Sequence, residues 1–237
     1  TVNIEGKNSV FSKSIAANAV NVKADTTFGA AVTTKQLALN AATVIDSGVI
    51  LTINESVSGG GVINGANEGY GAIVFNAKVN KNDVGDIGAT TNRWVYQIEI
   101  NGEGASTFNN KIVAENLVVG VDSDGTALNN INTNRLTLSG DNTSLGLATI
   151  KTSLTLAANM SATAGGVLTL ADGDTAAKVT LYPNSILTLT DDIKGGGIID
   201  GNADLNGTII FDNNVAAGDV GAIGAEHPLA LVEIKGV

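Results

Sequence analysis

The strongest constraint on the fold of this chain is an internal repeat. Residues 50–88 align with residues 186–224 without a gap, at a constant offset of 136 residues. The aligned pairs include both glycine triplets and two phenylalanines, Gly59-Gly60-Gly61 with Gly195-Gly196-Gly197 and Phe75 with Phe211. A chain that repeats itself at such a distance is built from stacked or tandem copies of one unit.

A third, partial copy lies at the start of the chain. Residues 2–6 match residues 98–102 and residues 232–236, and each segment is a strand-like run that ends in glycine. The second unit is about 38 residues longer than the first, which we interpret as an insertion of one or two whole turns of a solenoid. Because the chain begins and ends in strand-like runs, we expect it to be a segment of a longer polypeptide.

The local pattern predicts an all-β protein. Short apolar runs with a period of two recur along the chain, and clusters of Gly, Asn, Asp and Ser separate them. Only residues 33–42 could form a helix, since Leu37 and Ala41 are four residues apart, and the flanking Thr and Asn residues argue against it. Aromatic residues make up only 4% of the chain, so the core must be aliphatic.

Short strands, repeats and an aliphatic core together favour a right-handed parallel β-solenoid, or β-helix, of about ten turns with strands about 4.8 Å apart. We expect one continuous solenoid over residues 1–237, with internal repeats at 49–102 and 185–236. The main alternative is a pair of β-sandwiches or barrels, one for each repeat.

Composition excludes several kinds of site. The chain has no cysteine and one histidine, which rules out disulfides, thiolate zinc sites and multi-histidine metal centres. Its formal net charge of −10 disfavours nucleic acid as a partner. The sequence has no apolar run of the roughly 18 residues that a membrane-spanning helix needs. We therefore expect no cofactor and no bound metal.

One motif resembles a known family. The segments Asn82-Asp83-Val84-Gly85-Asp86-Ile87-Gly88 and Gly218-Asp219-Val220-Gly221-Ala222-Ile223-Gly224 each precede a short polar stretch and a strand. This pattern is similar to the passenger region of rickettsial surface antigens, which are autotransporters of the outer-membrane protein A and B type. The resemblance implies export through a translocator barrel that this chain lacks, location at the bacterial cell surface and outer membrane, and adhesion to host cells. It implies no catalytic residue.

Two acidic segments are candidate cation sites. Asp122 and Asp124 open a calcium-loop-like segment, but position twelve is Thr133 where such a loop needs a bidentate Glu. Asp172 and Asp174 form a similar incomplete pattern. We interpret both as turns between strands, and the sequence leaves open whether either binds a cation.

The glycine triplets lack the Asp spacing of calcium-binding nonapeptides and the Gly-Lys-Ser/Thr ending of a phosphate loop. We interpret them as corners that need unusual backbone angles. The first unit has Asn92 or a neighbouring polar residue in place of His227 and no histidine, so we expect His227 to be an exposed turn residue rather than a catalytic one.

Asp191 and Asp192 are the best candidates for the paired carboxylates of a polysaccharide-acting enzyme built on a β-helix. Their counterparts are Glu55 and Ser56, so the pair is lost in the first unit. We therefore predict that the chain is not an enzyme, with this activity as an alternative.

Three aromatic residues are candidate partner contacts. Trp94, Tyr96 and Tyr70 lie in the first unit, whereas the second unit has Pro228, Ala230 and Asn206 at these positions. Trp and Tyr dominate binding hot spots, although packing over a loop would also explain them. The sequence thus predicts a non-catalytic surface segment that displays loops and binds a host-cell surface protein. Self-association as a surface-layer subunit is a further alternative.

Overall fold

The computed structural model describes residues 1–102, 106–108, 110–120, 136–138, 148–156, 158, 160–164, 167–172, 175–213, 215 and 219–235. Over these residues the chain forms 24 β-strands and no helix. No segment of the described part is therefore a helix that could cross a bilayer.

The strands are β1 (Val2–Ile4), β2 (Ser9–Phe11), β3 (Ile15–Val22), β4 (Thr26–Phe28), β5 (Val32–Leu39), β6 (Thr43–Ile45), β7 (Ile50–Ser58), β8 (Ile63–Gly65), β9 (Ala72–Phe75), β10 (Val95–Ile100), β11 (Ser106–Phe108), β12 (Ile112–Val119), β13 (Leu136–Leu138), β14 (Ala148–Leu156), β15 (Ser161–Ala164), β16 (Leu168–Asp172), β17 (Thr175–Ala176), β18 (Lys178–Leu181), β19 (Ile186–Leu189), β20 (Ile193–Lys194), β21 (Gly197–Gly201), β22 (Thr208–Phe211), β23 (Val220–Ile223) and β24 (Leu231–Ile234).

The chain winds through three faces in a fixed order, and we number the faces 1, 2 and 3. Face 1 contains β2, β4, β6 and β8, the first halves of β12 and β14, and then β16 and β20. Face 2 contains the first halves of β3, β5 and β7, then β9, β10, the second halves of β12 and β14, and β18, β21 and β23. Face 3 contains β1 and the second halves of β3, β5 and β7, followed by β11, β13, β15, β19, β22 and β24.

Successive turns pair in parallel, which makes the molecule a β-solenoid of about nine turns. The long strands turn a corner between two faces. In the pairing of β3 with β5, for example, the register passes over Asn18 and Lys35 at the corner. These findings confirm the all-β, parallel solenoid and exclude the sandwich or barrel alternative.

The core is a set of aliphatic columns that run along the solenoid axis. One column on face 2 consists of register-paired residues from seven successive turns, each at most 2% exposed: Leu51, Ile73, Ile98, Leu117, Leu154, Val179 and Ile199. Each member is covered above and below by its neighbours, about 4.8 Å away. Phe75 and Phe211 are buried as well, as expected from their recurrence.

Polar side chains also stack at the corners. The Nδ2 of Asn76 donates to the Oδ1 of Asn54 over 2.9 Å, and the Nδ2 of Asn101 donates to the Oδ1 of Asn76 over 3.4 Å. Such an amide ladder satisfies donors and acceptors between turns where the backbone bends away from the sheets.

The glycine triplets are corners, as the sequence predicts. Gly59 and Gly195 have φ of +102° and +95°, a region that L side chains rarely adopt. A Cβ on Gly61 would come within 2.5 Å of the carbonyl oxygen of Ala41 on the preceding turn. Backbone conformation and close stacking therefore both require glycine here.

The two repeat copies occupy different faces. In the first copy β8 lies on face 1 and β9 on face 2, whereas their counterparts β21 and β22 lie on faces 2 and 3. The backbone contacts are nevertheless the same: the Gly65 N–H donates to Arg93 O over 2.9 Å, and the Gly201 N–H donates to His227 O over 3.0 Å. The offset of 136 residues thus spans about five and one-third turns. The two copies are therefore separated by a number of turns that is not whole, so the expected insertion of whole turns is wrong. A copy can be displaced by one face because the three faces offer equivalent stacking.

Residues 33–42, the one segment whose spacing would also fit a helix, are not helical, in agreement with the all-β prediction. Residues Val32–Leu39 form β5, which turns the corner between faces 2 and 3. Val32, Thr34, Leu37 and Leu39 all point inward and are buried. The β-branched residues and the burial of both halves of the strand override the four-residue spacing of Leu37 and Ala41.

The repeat identifies one strained residue whose replacement should stabilise the fold. Leu205 has φ of +59° and a 71% exposed side chain, and its counterpart in the first copy is Gly69, with φ of +65°. Left-handed backbone costs a non-glycine residue about 1–2 kcal/mol, and glycine loses about 0.5–1 kcal/mol in chain entropy. Leu205→Gly should therefore raise the free energy of unfolding by about 0.5–1 kcal/mol, measured by urea denaturation. Leu205→Ala keeps the strain and is the control; equal stability of the two variants would contradict this account.

Candidate functional site

The three aromatic residues singled out in the sequence lie together at the corner between faces 1 and 2. Tyr70 lies in the turn before β9; on the next turn Trp94 directly precedes β10 and Tyr96 is its second residue. The Tyr96 N–H donates to the carbonyl oxygen of Gly71 over 2.9 Å, which holds the two segments side by side. Tyr96 is 49% exposed, while Tyr70 and Trp94 are half-buried. We call these three residues the aromatic corner.

Two charged residues on later turns hold the Trp94 ring. Its Nε1–H donates to the Oε1 of Glu115 over 3.4 Å, and the Nζ of Lys151 lies 3.9 Å from the ring centroid. Glu115 lies where β12 turns the corner, and Lys151 lies in β14 on the turn beyond. A cation–π contact at such a site contributes about 0.5–1 kcal/mol. These two contacts fix the orientation of the indole.

Sequence reasoning missed Glu115 and Lys151. Each solenoid turn has its own length here, so residues that meet at a corner are separated by irregular intervals in the sequence. Trp94 and Glu115 are 21 residues apart, whereas Asn3 and Asn21, also on neighbouring turns, are 18 residues apart. No fixed spacing could therefore have pointed to them.

A second feature is a loop that folds over the outer side of each copy. We call residues 88–94 the first flap and residues 224–228 the second flap. The first flap lies over Asn64, whose Oδ1 accepts the Thr90 N–H over 3.4 Å. The second flap lies over Asp200 in the same way, with the Oδ1 accepting the Glu226 N–H over 3.3 Å. The flaps therefore cover outward-facing polar residues that would otherwise be exposed.

The second flap is fastened by ionic contacts. Asp200 is completely buried, and its Oδ2 lies 3.6 Å from the Nζ of Lys178. The same ammonium contacts the carboxylate of Glu226 on the flap. We call Lys178, Asp200 and Glu226 the flap latch. The hydrogen bond to Glu226, with the charges of Glu226 and Asp200, raises the pKa of Lys178 despite some desolvation, so the Lys178 ammonium stays charged at neutral pH.

The first copy has no such latch. The counterparts of Lys178, Asp200 and Glu226 are Ala42, Asn64 and Thr90, all uncharged. A buried carboxylate needs a paired cation, whereas a buried amide needs only hydrogen bonds. The two flaps thus follow the same backbone path, but the first covers a buried amide and the second covers a buried carboxylate.

The remaining candidate residues lie on exposed turns. His227 lies in the second flap, and its Nδ1 is 3.1 Å from the Oδ1 of Asp204, with both side chains exposed. The N–H of Asp192 donates to the Oδ1 of Asp191 over 2.8 Å in the turn between β19 and β20. The structure thus confirms His227 as an exposed turn residue and places the aspartate pair in a turn.

Among the described residues no group of three or more His, Cys, Asp or Glu side chains is placed to hold a metal ion. Asp122, Asp124 and Asp174 lie outside these residues, and Asp172 ends β16.

No family model, no curated protein and no solved structure matches this chain.

The flap latch yields a stability prediction with a control supplied by the repeat. Removing one partner of a fully buried ion pair costs about 3–5 kcal/mol. Because the Lys178 side chain is 42% exposed, Lys178→Ala should lower the free energy of unfolding by about 2 kcal/mol. The double variant Lys178→Ala with Asp200→Asn reproduces Ala42 and Asn64 of the first copy and should recover most of the loss.

The measurement is urea denaturation of both variants at neutral pH. A raised pKa means that the contribution of Lys178 is complete below its ordinary pKa of 10.5 and is lost as the pH rises through the higher folded value. The difference between the native chain and Lys178→Ala should therefore be constant from pH 7 to 9. A double variant as unstable as the single one would refute the latch.

The orientation of Trp94 can be followed directly, because it is the only tryptophan in the chain. Glu115→Ala removes the acceptor of the indole N–H, so the Trp94 emission should shift to longer wavelength and its quenching by acrylamide should increase. Glu99→Ala removes a neighbouring carboxylate of β10 that bonds Gln97 and Asn101 instead, and should leave both signals unchanged. Identical spectra for the two variants would show that Glu115 does not hold the ring.

Proposed function

We propose that this chain is a non-catalytic segment of the passenger of a bacterial surface autotransporter, which displays recognition loops and adheres to a host-cell surface protein. The proposal assigns it to the cell surface and outer membrane, where a translocator barrel outside this chain would carry it. It is supported by the resemblance of the motifs at 82–88 and 218–224 to the passengers of rickettsial surface antigens.

The mechanism is geometric. A solenoid has a stiff axis because every turn is bonded to the next along three faces, so loops at its corners keep fixed positions relative to one another. The corners and flaps carry the side chains that differ between the copies, while the inward positions remain aliphatic in both. Partner binding would then rest on outward side chains, with no change in the core.

The single observation that carries the proposal is the aromatic corner. Tyr96 is half-exposed and stands beside Trp94, whose ring is held by Glu115 and Lys151. Preorganised aromatic side chains bind without a large loss of side-chain entropy, which is why they dominate hot spots in interfaces.

The charge of the chain fits the same role. A net charge of −10 keeps neighbouring copies apart on a crowded surface and attracts a partner with a basic face. Attraction of this kind weakens with ionic strength, whereas the aromatic contacts depend on it little.

The test is binding of the 237-residue chain, immobilised on beads, to cultured host cells. The double variant Trp94→Ala with Tyr96→Ala should reduce binding at least tenfold, the loss expected from removing a hot spot of about 2 kcal/mol. Tyr182→Ala is the matched control, since Tyr182 is an exposed tyrosine in the turn between β18 and β19. Equal binding of the native chain and both variants would overturn the aromatic corner as the contact site.

A further inference from the structure

The aromatic corner already holds a positive charge that belongs to the chain itself. The Nζ of Lys151 lies 3.9 Å from the centroid of the Trp94 ring. It reaches the ring from β14, which lies two turns beyond β10. An ammonium at this distance is attracted by the negative face of the indole. The contact shows that this ring accepts a cation, and Lys151 marks the place where the cation sits.

A carboxylate lies at the same corner, on the turn between. The Oε1 of Glu115 accepts the N–H of the Trp94 indole over 3.4 Å, and in the register of β12 with β10 Glu115 lies opposite the exposed Tyr96. Gly69 leaves room for this carboxylate, because a Cβ at that position would clash with it. An indole, a phenol and a carboxylate thus lie at one corner, and these are the groups that bind a guanidinium.

The charge of the corner depends on where Lys151 is. Glu68 and Arg93 are exposed on the two turns that carry the aromatic residues. With Glu115 and Lys151 they make a set of four charges that cancel. When the Lys151 ammonium leaves, one net negative charge remains. A cation that takes its place is therefore attracted, whereas an anion meets the carboxylate of Glu115.

An arginine side chain can replace Lys151 at low cost. The ammonium of a lysine is strongly hydrated and sits on a flexible stem, so it returns to water without any change in the backbone of β14. A guanidinium is planar and more weakly hydrated, stacks on aromatic rings and pairs with carboxylates through two parallel hydrogen bonds. The exchange thus replaces one cation–π contact by a better one.

We propose that the aromatic corner is a binding site for an arginine side chain of a protein partner, and that Lys151 occupies this site in the free chain. The guanidinium displaces the Lys151 ammonium from the Trp94 ring and pairs with Glu115, while the exposed Tyr96 offers a second aromatic surface. Lys151 acts as an internal competitor. It weakens binding of isolated cations, so that only a partner with further contacts binds tightly.

The partner's being a host-cell surface protein rests on the proposed function, whereas the cation site rests on the contacts of Trp94, Glu115 and Lys151. The two can fail separately. If an arginine probe binds at the corner but the native chain does not adhere to cells, the site stands without the adhesin. If cells bind through the corner but the probe does not, the adhesin stands without the arginine site.

The test is titration of the 237-residue chain with N-acetyl-L-argininamide at constant ionic strength. The readout is the indole N–H resonance, which is a single signal because Trp94 is the only tryptophan. This signal should shift in a saturable way. Lys151→Ala should bind the probe about two- to fivefold more tightly, since no cation–π contact has to be broken first. Glu115→Gln keeps an acceptor for the indole but loses the charge, so it should bind about twofold more weakly or less.

The matched control is Lys35→Ala, which changes the net charge as Lys151→Ala does. Lys35 lies at another corner, where its Nζ is 2.7 Å from the Oε1 of Glu55 and no aromatic contact is involved. This variant should bind the probe like the native chain. The uncharged isostere N-acetyl-L-citrullinamide and the acidic sugar N-acetylneuraminic acid should leave the indole signal in place. Circular dichroism verifies that all variants are folded.

Three outcomes would overturn the proposal. The first is an indole signal of the native chain that the arginine probe does not shift. The second is equal or weaker binding by Lys151→Ala, which would show that Lys151 does not compete for the site. The third is a shift with the acidic sugar in place of the arginine probe, which would make the corner a site for anionic glycans.

Discussion

Parallel stacking in register is the interaction on which the whole molecule depends. Each inward aliphatic residue is covered by the equivalent residue of the turn above and the turn below, as the column from Leu51 to Ile199 shows. A turn therefore needs only three short apolar segments that face the axis, and no particular partner elsewhere in the chain. This explains a core with few aromatic residues, and it explains how turns of different length can follow one another without disturbing their neighbours.

The same constraint decides what could be predicted from the sequence. The repeat, the period of two and the glycine triplets are local or recurrent, and they predicted the solenoid, its corner glycines and the buried Phe75 and Phe211 correctly. The face occupied by each copy could not be predicted, because the inward residues are aliphatic on all three faces and their pattern does not distinguish one face from another. Residues 33–42 were compatible with a helix in the sequence because a strand that turns a corner loses strict alternation, which imitates helical spacing around Leu37.

The candidate sites were harder to predict, because they depend on which outward residues meet between turns. Trp94 and Tyr96 stood out because they differ between the copies, but their neighbours Glu115 and Lys151 lie on turns of unequal length. The flap latch did leave a signal that sequence analysis overlooked. Ala42, Asn64 and Thr90 all become charged residues in the second copy, as Lys178, Asp200 and Glu226. Three uncharged positions that change together into opposite charges indicate a spatial cluster.

The two flaps show how this fold separates the path of the backbone from the chemistry of the surface. Gly65 and Gly201 bond the flaps through the same backbone contact, so the path of the chain is set by backbone hydrogen bonds and corner glycines. The side chains at the flaps then differ without cost to the core: the first leads into the aromatic corner, and the second closes over the buried Asp200. New surface chemistry can thus arise by duplication of a unit followed by change at its outward positions. A duplicated unit can also occupy a different face of the solenoid, as the second copy does here. The equivalent flap then projects in a different direction around the axis.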